Sequence, residues 1–225
     1  MAGVGMTPEG LVHRFEPGAG PDAPVVLLLH GTGGDENDLL PLGRMVAPGA
    51  ALLSPRGPVL ERGQARFFAR LAEGVFDRDD LRRRTDELAA WLAACAARYA
   101  FDPARVSAIG YSNGANIAWS VMLAHPAALR RAVLVRPMLP FEPALLPDLS
   151  GRAVLILRGE RDPVVPAASA SALARVLRSA GADVTEHVTP AGHELARADL
   201  TKAATWWAAR EASPPRGDAG ARRVL

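Results

Sequence analysis

The chain has 225 residues, of which 49% are hydrophobic and 22% are charged. This balance is typical of a globular protein that buries a sizeable core, and the length suits one large domain or two small ones. The formal net charge is only +2 and arginines are balanced by nearby acids, which argues against nucleic-acid binding. Cys95 is the single cysteine, which excludes an internal disulfide and a cysteine-built metal site.

The N-terminal segment, residues 1–23, is rich in glycine and proline, and Leu11 to Phe15 form a candidate edge strand. Met1 to Gly10 lacks the charged and apolar regions of a signal peptide. No apolar run reaches the length of a membrane-spanning helix. We therefore expect a cytoplasmic protein with no membrane span.

From residue 24 onward, strand patterns alternate with helix patterns. The predicted strands are Pro24 to Leu29, Ala50 to Pro55, Val106 to Ile109, Arg131 to Val135, Ala153 to Leu157 and Asp183 to Val188. The predicted helices are Asn37 to Val46, Asp79 to Tyr99, a helix that ends near Ala124, Ala167 to Ala180 and Glu194 to Ala209. Such alternation predicts an α/β fold with a mostly parallel sheet covered on both faces. We expect one domain over 24–211 and a flexible, Gly/Pro/Arg-rich tail over 212–225.

The stretch Val106 to Ala118 contains the pattern Gly-x-Ser-x-Gly between an apolar strand and a helix. In this context the serine lies on a strained strand-to-helix turn that presents its hydroxyl to a pocket. Gly110 and Gly114 allow the strand and the helix to pass close together. We therefore predict Ser112 as a nucleophile; a plain glycine-containing turn is the alternative.

A serine hydroxyl needs a base, which is usually histidine because its pKa lies near neutral pH. Of the five histidines, His193 alone follows the last predicted strand in a loop, at the sheet edge where active sites form in parallel sheets. His30 ends the first buried strand, where we expect it to support the loop. We predict His193 as the base.

In the chain order Ser…Asp…His, the acid lies between Ser112 and His193. Asp162 follows the strand Ala153 to Leu157 at the same sheet edge, whereas Asp148 precedes that strand at the opposite edge. We predict Asp162 as the residue that orients the histidine, with Glu160 as a substitute.

The oxyanion of an acyl-transfer reaction needs preplaced donors. We expect the backbone N–H groups of Asn113 and of Thr32, which lies in the glycine-rich loop His30 to Asp35. That loop lacks the Lys-Ser/Thr ending of a phosphate-binding P-loop.

The segment Arg56 to Asp77 is long, aromatic and loop-like, which favours a wall of the active site over a self-packed surface loop. The predicted pocket-lining residues are Arg66, Phe67, Phe68, Val75 and Met138.

With these residues in place, the chain resembles the α/β-hydrolase fold and, within it, the phospholipase/carboxylesterase family, which is related to the acyl-protein thioesterases. The motifs that carry the resemblance are Leu29 to Glu36, Gly110 to Gly114, Gly159 to Pro163 and Ala191 to His193. Phe67-Phe68 and Glu73 to Asp77 further resemble a bacterial carboxylesterase branch linked to hydroquinone stress. Acyl-protein thioesterases usually carry glutamine after the nucleophile, where this chain has Asn113, and this departure weakens any protein-deacylase assignment.

The resemblance implies serine hydrolysis of carboxylic esters or thioesters without a cofactor, and often a homodimer. The apolar members of the predicted pocket suggest a small or medium acyl group or an aromatic ester, and we expect no metal site. The short segment Met138 to Ser150 leaves no room for a large lid domain, which disfavours a lipase. One alternative is a lactone or dienelactone hydrolase, in which Arg66 binds a substrate carboxylate. A second is a binding protein that keeps the hydrolase scaffold without turnover.

Overall fold

The computed structural model describes residues 3–6, 10–72, 74–139, 141, 143 and 145–212. An eight-stranded sheet forms its centre, and five α-helices flank it. The strands of the central sheet are β1 (Gly3–Met6), β2 (Val12–Glu16), β3 (Val25–Leu29), β4 (Ala51–Pro55), β9 (Val106–Tyr111), β10 (Arg131–Val135), β11 (Ala153–Gly159) and β12 (Asp183–Thr189). Two small hairpins lie between β4 and the next helix: β5 (Val59–Glu61) with β6 (Gln64–Arg66), and β7 (Arg70–Ala72) with β8 (Val75–Phe76). The helices are α1 (Leu40–Val46), α2 (Arg78–Tyr99), α3 (Asn113–Ala124), α4 (Ala167–Ser179) and α5 (Arg197–Glu211).

The strand order of the central sheet is β1-β2-β4-β3-β9-β10-β11-β12. The pairs β1–β2 and β2–β4 are antiparallel, and every other pair is parallel. The carboxyl ends of the parallel strands therefore meet at one edge of the sheet, which is where open α/β folds place their sites.

The apolar run of strand β3 is continuous rather than alternating because helices pack on both faces of the sheet. Val25, Leu27 and Leu29 pack with α2, α3 and α4 in one hydrophobic cluster, whereas Val26 and Leu28 pack with α1 and α5 in the other. Because helices cover both faces of the sheet, neither set of side chains meets water. The predicted mostly parallel sheet with helices on both faces is confirmed.

Element boundaries differ from the sequence prediction mainly at helix starts. Helix α1 begins at Leu40 and α5 at Arg197, each three residues later than predicted. Residues 36–39 form turns before α1, and residues 193–196 before α5 are bent or irregular backbone. The edge strand predicted at Leu11 to Phe15 is present as β2, and β1 extends the sheet beyond it. The N-terminal segment therefore contributes two strands to the central sheet. Of the predicted tail, residues 213–225 lie outside the described residues.

The sequence predicted a loop over Arg56 to Asp77. The structure shows instead that this segment contains the two hairpins. The first hairpin turns at Arg62-Gly63, where both residues have positive φ, 52° and 80°. That backbone conformation is the one a two-residue hairpin loop requires, and glycine at its second position is the signal for it.

No helix in the described part of the chain has both the length and the apolar character that a membrane crossing needs.

Candidate active site

Ser112 occupies the turn between β9 and α3 in a strained backbone conformation, with φ 51° and ψ −110°. Its N–H donates to the Val135 carbonyl at 2.8 Å, which ties the turn to the neighbouring strand. Glycine is required on both sides of the turn. A Cβ at Gly110 would meet backbone atoms of α3, and one at Gly114 would meet the Leu29 carbonyl at the end of β3.

The predicted serine, histidine and aspartate come together at the carboxyl edge of the sheet. His193 Nε2 lies 3.0 Å from Ser112 Oγ, and His193 Nδ1 lies 2.9 Å from Asp162 Oδ2. Each imidazole nitrogen therefore has one partner, and the carboxylate fixes the proton on Nδ1 so that Nε2 faces the serine as an acceptor.

Asp162 is held independently of the histidine. Its side chain is 2% exposed, and its Oδ1 accepts hydrogen bonds from the Val164 and Val165 N–H groups at 2.8 and 2.9 Å. The other acids considered from the sequence lie elsewhere: Asp148 Oδ1 accepts from Ser150 N–H before β11, and Glu160 is exposed after β11.

The glycine-rich loop, His30 to Asp35, lies beside this cluster, and its Thr32 lines the same cavity as Ser112, Asn113 and His193. Among the described residues, neither the Thr32 nor the Asn113 backbone N–H donates to another protein group. The structure thus brings both predicted oxyanion donors to the cavity that the serine faces.

His30 supports this loop, as the sequence predicted. It is buried, its Nδ1 donates to the Gly31 carbonyl at 2.7 Å, and its Nε2 accepts from Gly57 N–H at 2.9 Å. Burial lowers the pKa of His30 below its ordinary value of 6.5, against the opposing effects of the Gly31 hydrogen bond and the nearby acids. The neutral imidazole therefore links the loop to the segment that follows β4.

The cavity has a volume of about 170 Å³. Its lining residues are Thr32, Arg66, Arg70, Gly74, Phe76, Ser112, Asn113, Asn116, Met138, Val164 and His193. Of the predicted lining residues, Arg66 and Met138 lie here. Phe67 and Phe68 lie instead in the hydrophobic core, and Val75 is 52% exposed on the second hairpin without lining the cavity. Phe67 comes directly after β6, and its ring packs against that of the buried His30, with the ring centroids 4.7 Å apart.

The first hairpin is joined to the serine turn by the side chain of Asn113. Asn113 Oδ1 accepts from the Phe67 N–H at 2.7 Å, and Gly33 N–H donates to the Ala65 carbonyl at 2.9 Å. The sequence predicted a backbone role for Asn113 but not this side-chain bond.

The sequence analysis also missed Asn116. Its Oδ1 accepts from the Met138 N–H at 2.7 Å, which fixes the opposite wall of the cavity. Its position one helical turn after Ser112 is the signal that could have found it.

Arg66 is a buried cation in the cavity wall. It is 3% exposed, its Nη1 donates to Thr32 Oγ1 at 2.6 Å, and its Nε lies 3.3 Å from a carboxylate oxygen of Glu61. Glu61 also pairs with Arg70 at 2.8 Å. Burial, followed by the neighbouring Arg70 charge, lowers the pKa of Arg66, and the guanidinium remains charged at neutral pH. Among the residues that the structure describes, no group of three or more His, Cys, Asp or Glu is arranged to hold a metal ion.

The buried His30 predicts a pH dependence of stability. Since its folded pKa is lowered, the unfolded state takes up a proton near pH 6.5 that the folded state does not. The free energy of unfolding should therefore decrease as the pH falls below about 6.5, toward the lower folded pKa. Glutamine can donate and accept hydrogen bonds but does not titrate, so His30→Gln should flatten this slope. Urea unfolding between about pH 5 and pH 8 measures it; an equal slope in both proteins would contradict the assignment.

Comparisons with known proteins identify the family to which the chain belongs. Residues 15–212 match the model of the dienelactone hydrolase family. The Bacillus subtilis (strain 168) protein named as the hydrolase MhqD is 44% identical over 87% of this chain and 96% of its own. A carboxylesterase structure from Bacillus cereus is 46% identical, with a TM-score of 0.87 over 88% of this chain and 94% of that one.

A third relative was solved with a small acid. The structure of YahD with malic acid is 29% identical, with a TM-score of 0.83 over 87% of this chain and 97% of that one. The resemblance to the α/β-hydrolase fold and to bacterial carboxylesterases is therefore confirmed. The chain belongs to the dienelactone hydrolase family.

Proposed function

We propose that the protein is a serine carboxylesterase that hydrolyses small to medium carboxylic esters through an acyl-enzyme. The observation that carries this proposal is the continuous chain of contacts from Asp162 through His193 to Ser112, with distances of 2.9 and 3.0 Å. Membership of a hydrolase family and the carboxylesterase relative support it.

In the proposed reaction, His193 Nε2 takes the proton of Ser112 while Oγ attacks the ester carbonyl. The backbone N–H groups of Thr32 and Asn113 stabilise the resulting oxyanion. His193 then gives its proton to the departing alkoxide, and a water molecule repeats the cycle on the acyl-serine to release the acid. Asp162 holds the imidazole orientation and stabilises its cationic form throughout.

The cavity sets the size of the acyl group. Its volume of about 170 Å³ and its apolar members Phe76, Met138 and Val164 suit a short acyl chain or an aromatic ester. The cytoplasmic location and the homodimer stay predictions of the sequence.

The Ser112→Ala variant tests the mechanism. On p-nitrophenyl esters from acetate to laurate, turnover should peak at short chains in the wild type and fall on the order of 10⁴-fold or more in the variant, because the nucleophile is gone. Ser120→Ala is the matched control, since Ser120 is a buried serine on the same helix that contacts Thr85 instead.

Activity that survives Ser112→Ala would contradict the mechanism. Folded wild-type protein that hydrolyses no ester and resists labelling by a fluorophosphonate would favour the alternative of a binding protein.

A second candidate function is the hydrolysis of esters or lactones that carry a carboxylate, and the charge of the cavity favours it. Arg66 and Arg70 both line the cavity that Ser112 faces. Within the described part of the chain, no protein group accepts a hydrogen bond from Arg66 Nη2. A buried guanidinium with donors left over suits a carboxylate, and the relative YahD has been solved with malic acid, which is itself a carboxylic acid.

A pair of substrates that differ only in charge tests this candidate: butyryloxybenzoate and the neutral butyryloxybenzamide. The wild type should prefer the carboxylate, and the ratio of the two kcat/KM values should fall about tenfold in Arg66→Gln and in Arg70→Gln, because one charge-assisted hydrogen bond is lost. Arg62→Gln is the matched control. Arg62 is exposed in the turn of the first hairpin, and its substitution removes the same charge at a position outside the cavity lining. A ratio that is the same in all four proteins would contradict carboxylate recognition.

A further inference from the structure

Three consecutive carbonyl groups of the loop that carries the proposed base accept hydrogen bonds from side chains. Arg136 Nε donates to the Gly192 carbonyl, the Tyr111 hydroxyl to the His193 carbonyl, and Arg136 Nη2 to the Glu194 carbonyl, each at 3.0 Å. One guanidinium therefore binds the backbone on both sides of His193. The loop between β12 and α5, residues 190–196, is called the histidine loop below.

Arg136 is itself rigidly held. It directly follows β10, its backbone N–H donates to the Leu157 carbonyl at 2.8 Å, and its φ of 55° lies in the left-handed region. A non-glycine residue in that region is strained, so the surrounding contacts must hold it there. The side chain is fully buried. Because its backbone is bound to the sheet and its guanidinium to the Gly192 and Glu194 carbonyls, Arg136 fixes the histidine loop relative to the sheet.

The counter-charge of Arg136 belongs to the same arrangement. Asp199, also fully buried, binds Arg136 Nη2 through Oδ2 at 2.7 Å and Nη1 through Oδ1 at 3.2 Å. Asp199 also accepts from Thr189 Oγ1 and from Ala196 N–H, each at 2.9 Å. Thr189 ends β12 and Ala196 precedes α5, so this ion pair fastens both ends of the histidine loop.

We propose that Arg136 is a positioning residue for His193, with Asp199 as its fixed counter-charge; this inference rests on the proposed function. A buried ion pair is a poor source of net stability, because the desolvation of two charges offsets their attraction. The directed bonds to Gly192 and Glu194 instead fix where the imidazole lies between Asp162 and Ser112. A displacement of about 1 Å at such a site costs on the order of a hundred-fold in rate.

The double variant Arg136→Leu/Asp199→Leu separates positioning from stability. It removes both charges together, so no unpaired charge is left in the core. We expect a folded protein in which kcat for a p-nitrophenyl ester falls about a hundred-fold, because the carbonyls beside His193 lose their donors. KM should stay close to the wild-type value, since neither residue lines the cavity.

The single variants Arg136→Lys and Arg131→Lys form a matched pair. Arg131 is also buried, begins the same strand β10, and binds the Arg210 carbonyl and Glu211 at the end of α5. It lies at the opposite edge of the sheet from Ser112. Lysine keeps the charge but not the fork geometry. Arg136→Lys should lower kcat about tenfold or more, whereas Arg131→Lys should leave kcat and KM unchanged even where it lowers thermal stability.

A wild-type kcat in the folded double variant, or in Arg136→Lys, would overturn the proposal. If the double variant does not fold, Arg136→Lys decides the matter. An NMR readout does not depend on turnover: the deshielded Nδ1 proton of His193, which reports the contact with Asp162, should shift or broaden in Arg136→Lys and stay unchanged in Arg131→Lys. Unchanged resonances in both would count against positioning, whereas a wild type that hydrolyses no ester contradicts the proposed function alone.

Discussion

The site depends on the close passage of β9 and α3 past β3, with Ser112 at the turn between them. The backbone of Ser112 is strained, and it keeps that conformation because the elements on both sides are buried and in contact. At Gly110 and Gly114, on either side of Ser112, any side chain would meet neighbouring backbone. The same packing brings the end of β3, and with it the glycine-rich loop, beside the serine. One constraint therefore positions both the proposed nucleophile and the proposed oxyanion donors.

The remaining functional groups come from other strand ends at the same sheet edge, and each is tied to the sheet by its own contacts. Asp162 is fixed by the turn after β11, and the histidine loop is fixed by Tyr111 and Arg136. Ser112, Asp162 and His193 each follow a different strand of the same sheet. The sheet therefore sets the distances between them, although they are far apart in the sequence. The hairpins after β4 then decide the chemistry of the cavity, because they supply Arg66 and Arg70.

The fold and the central contacts could be predicted because their signals are local. Continuous apolar runs identify buried parallel strands, and parallel strands place their following loops at one edge. This logic selected Asp162 over Asp148 and His193 over His30, and the structure brings those residues together.

The cavity wall could not be predicted, because it depends on tertiary contacts. The bond from Phe67 N–H to Asn113 Oδ1 joins residues far apart in the sequence, and Phe67 and Phe68 pack in the core. Arg136 belongs to no sequence motif, and a single arginine after a strand gives no indication of what its side chain contacts. Only the packed structure shows that its guanidinium binds Gly192 and Glu194 together.

The most direct test of the account is to trap the acyl-enzyme. Protein mixed with p-nitrophenyl butyrate and quenched in acid during turnover should gain the mass of one butyryl group, and peptide mapping should locate it on Ser112. The same experiment on His193→Ala should show no acylation on that time scale, because the serine keeps its proton. Turnover without any acylated Ser112, or an acyl group on another residue, would contradict the account.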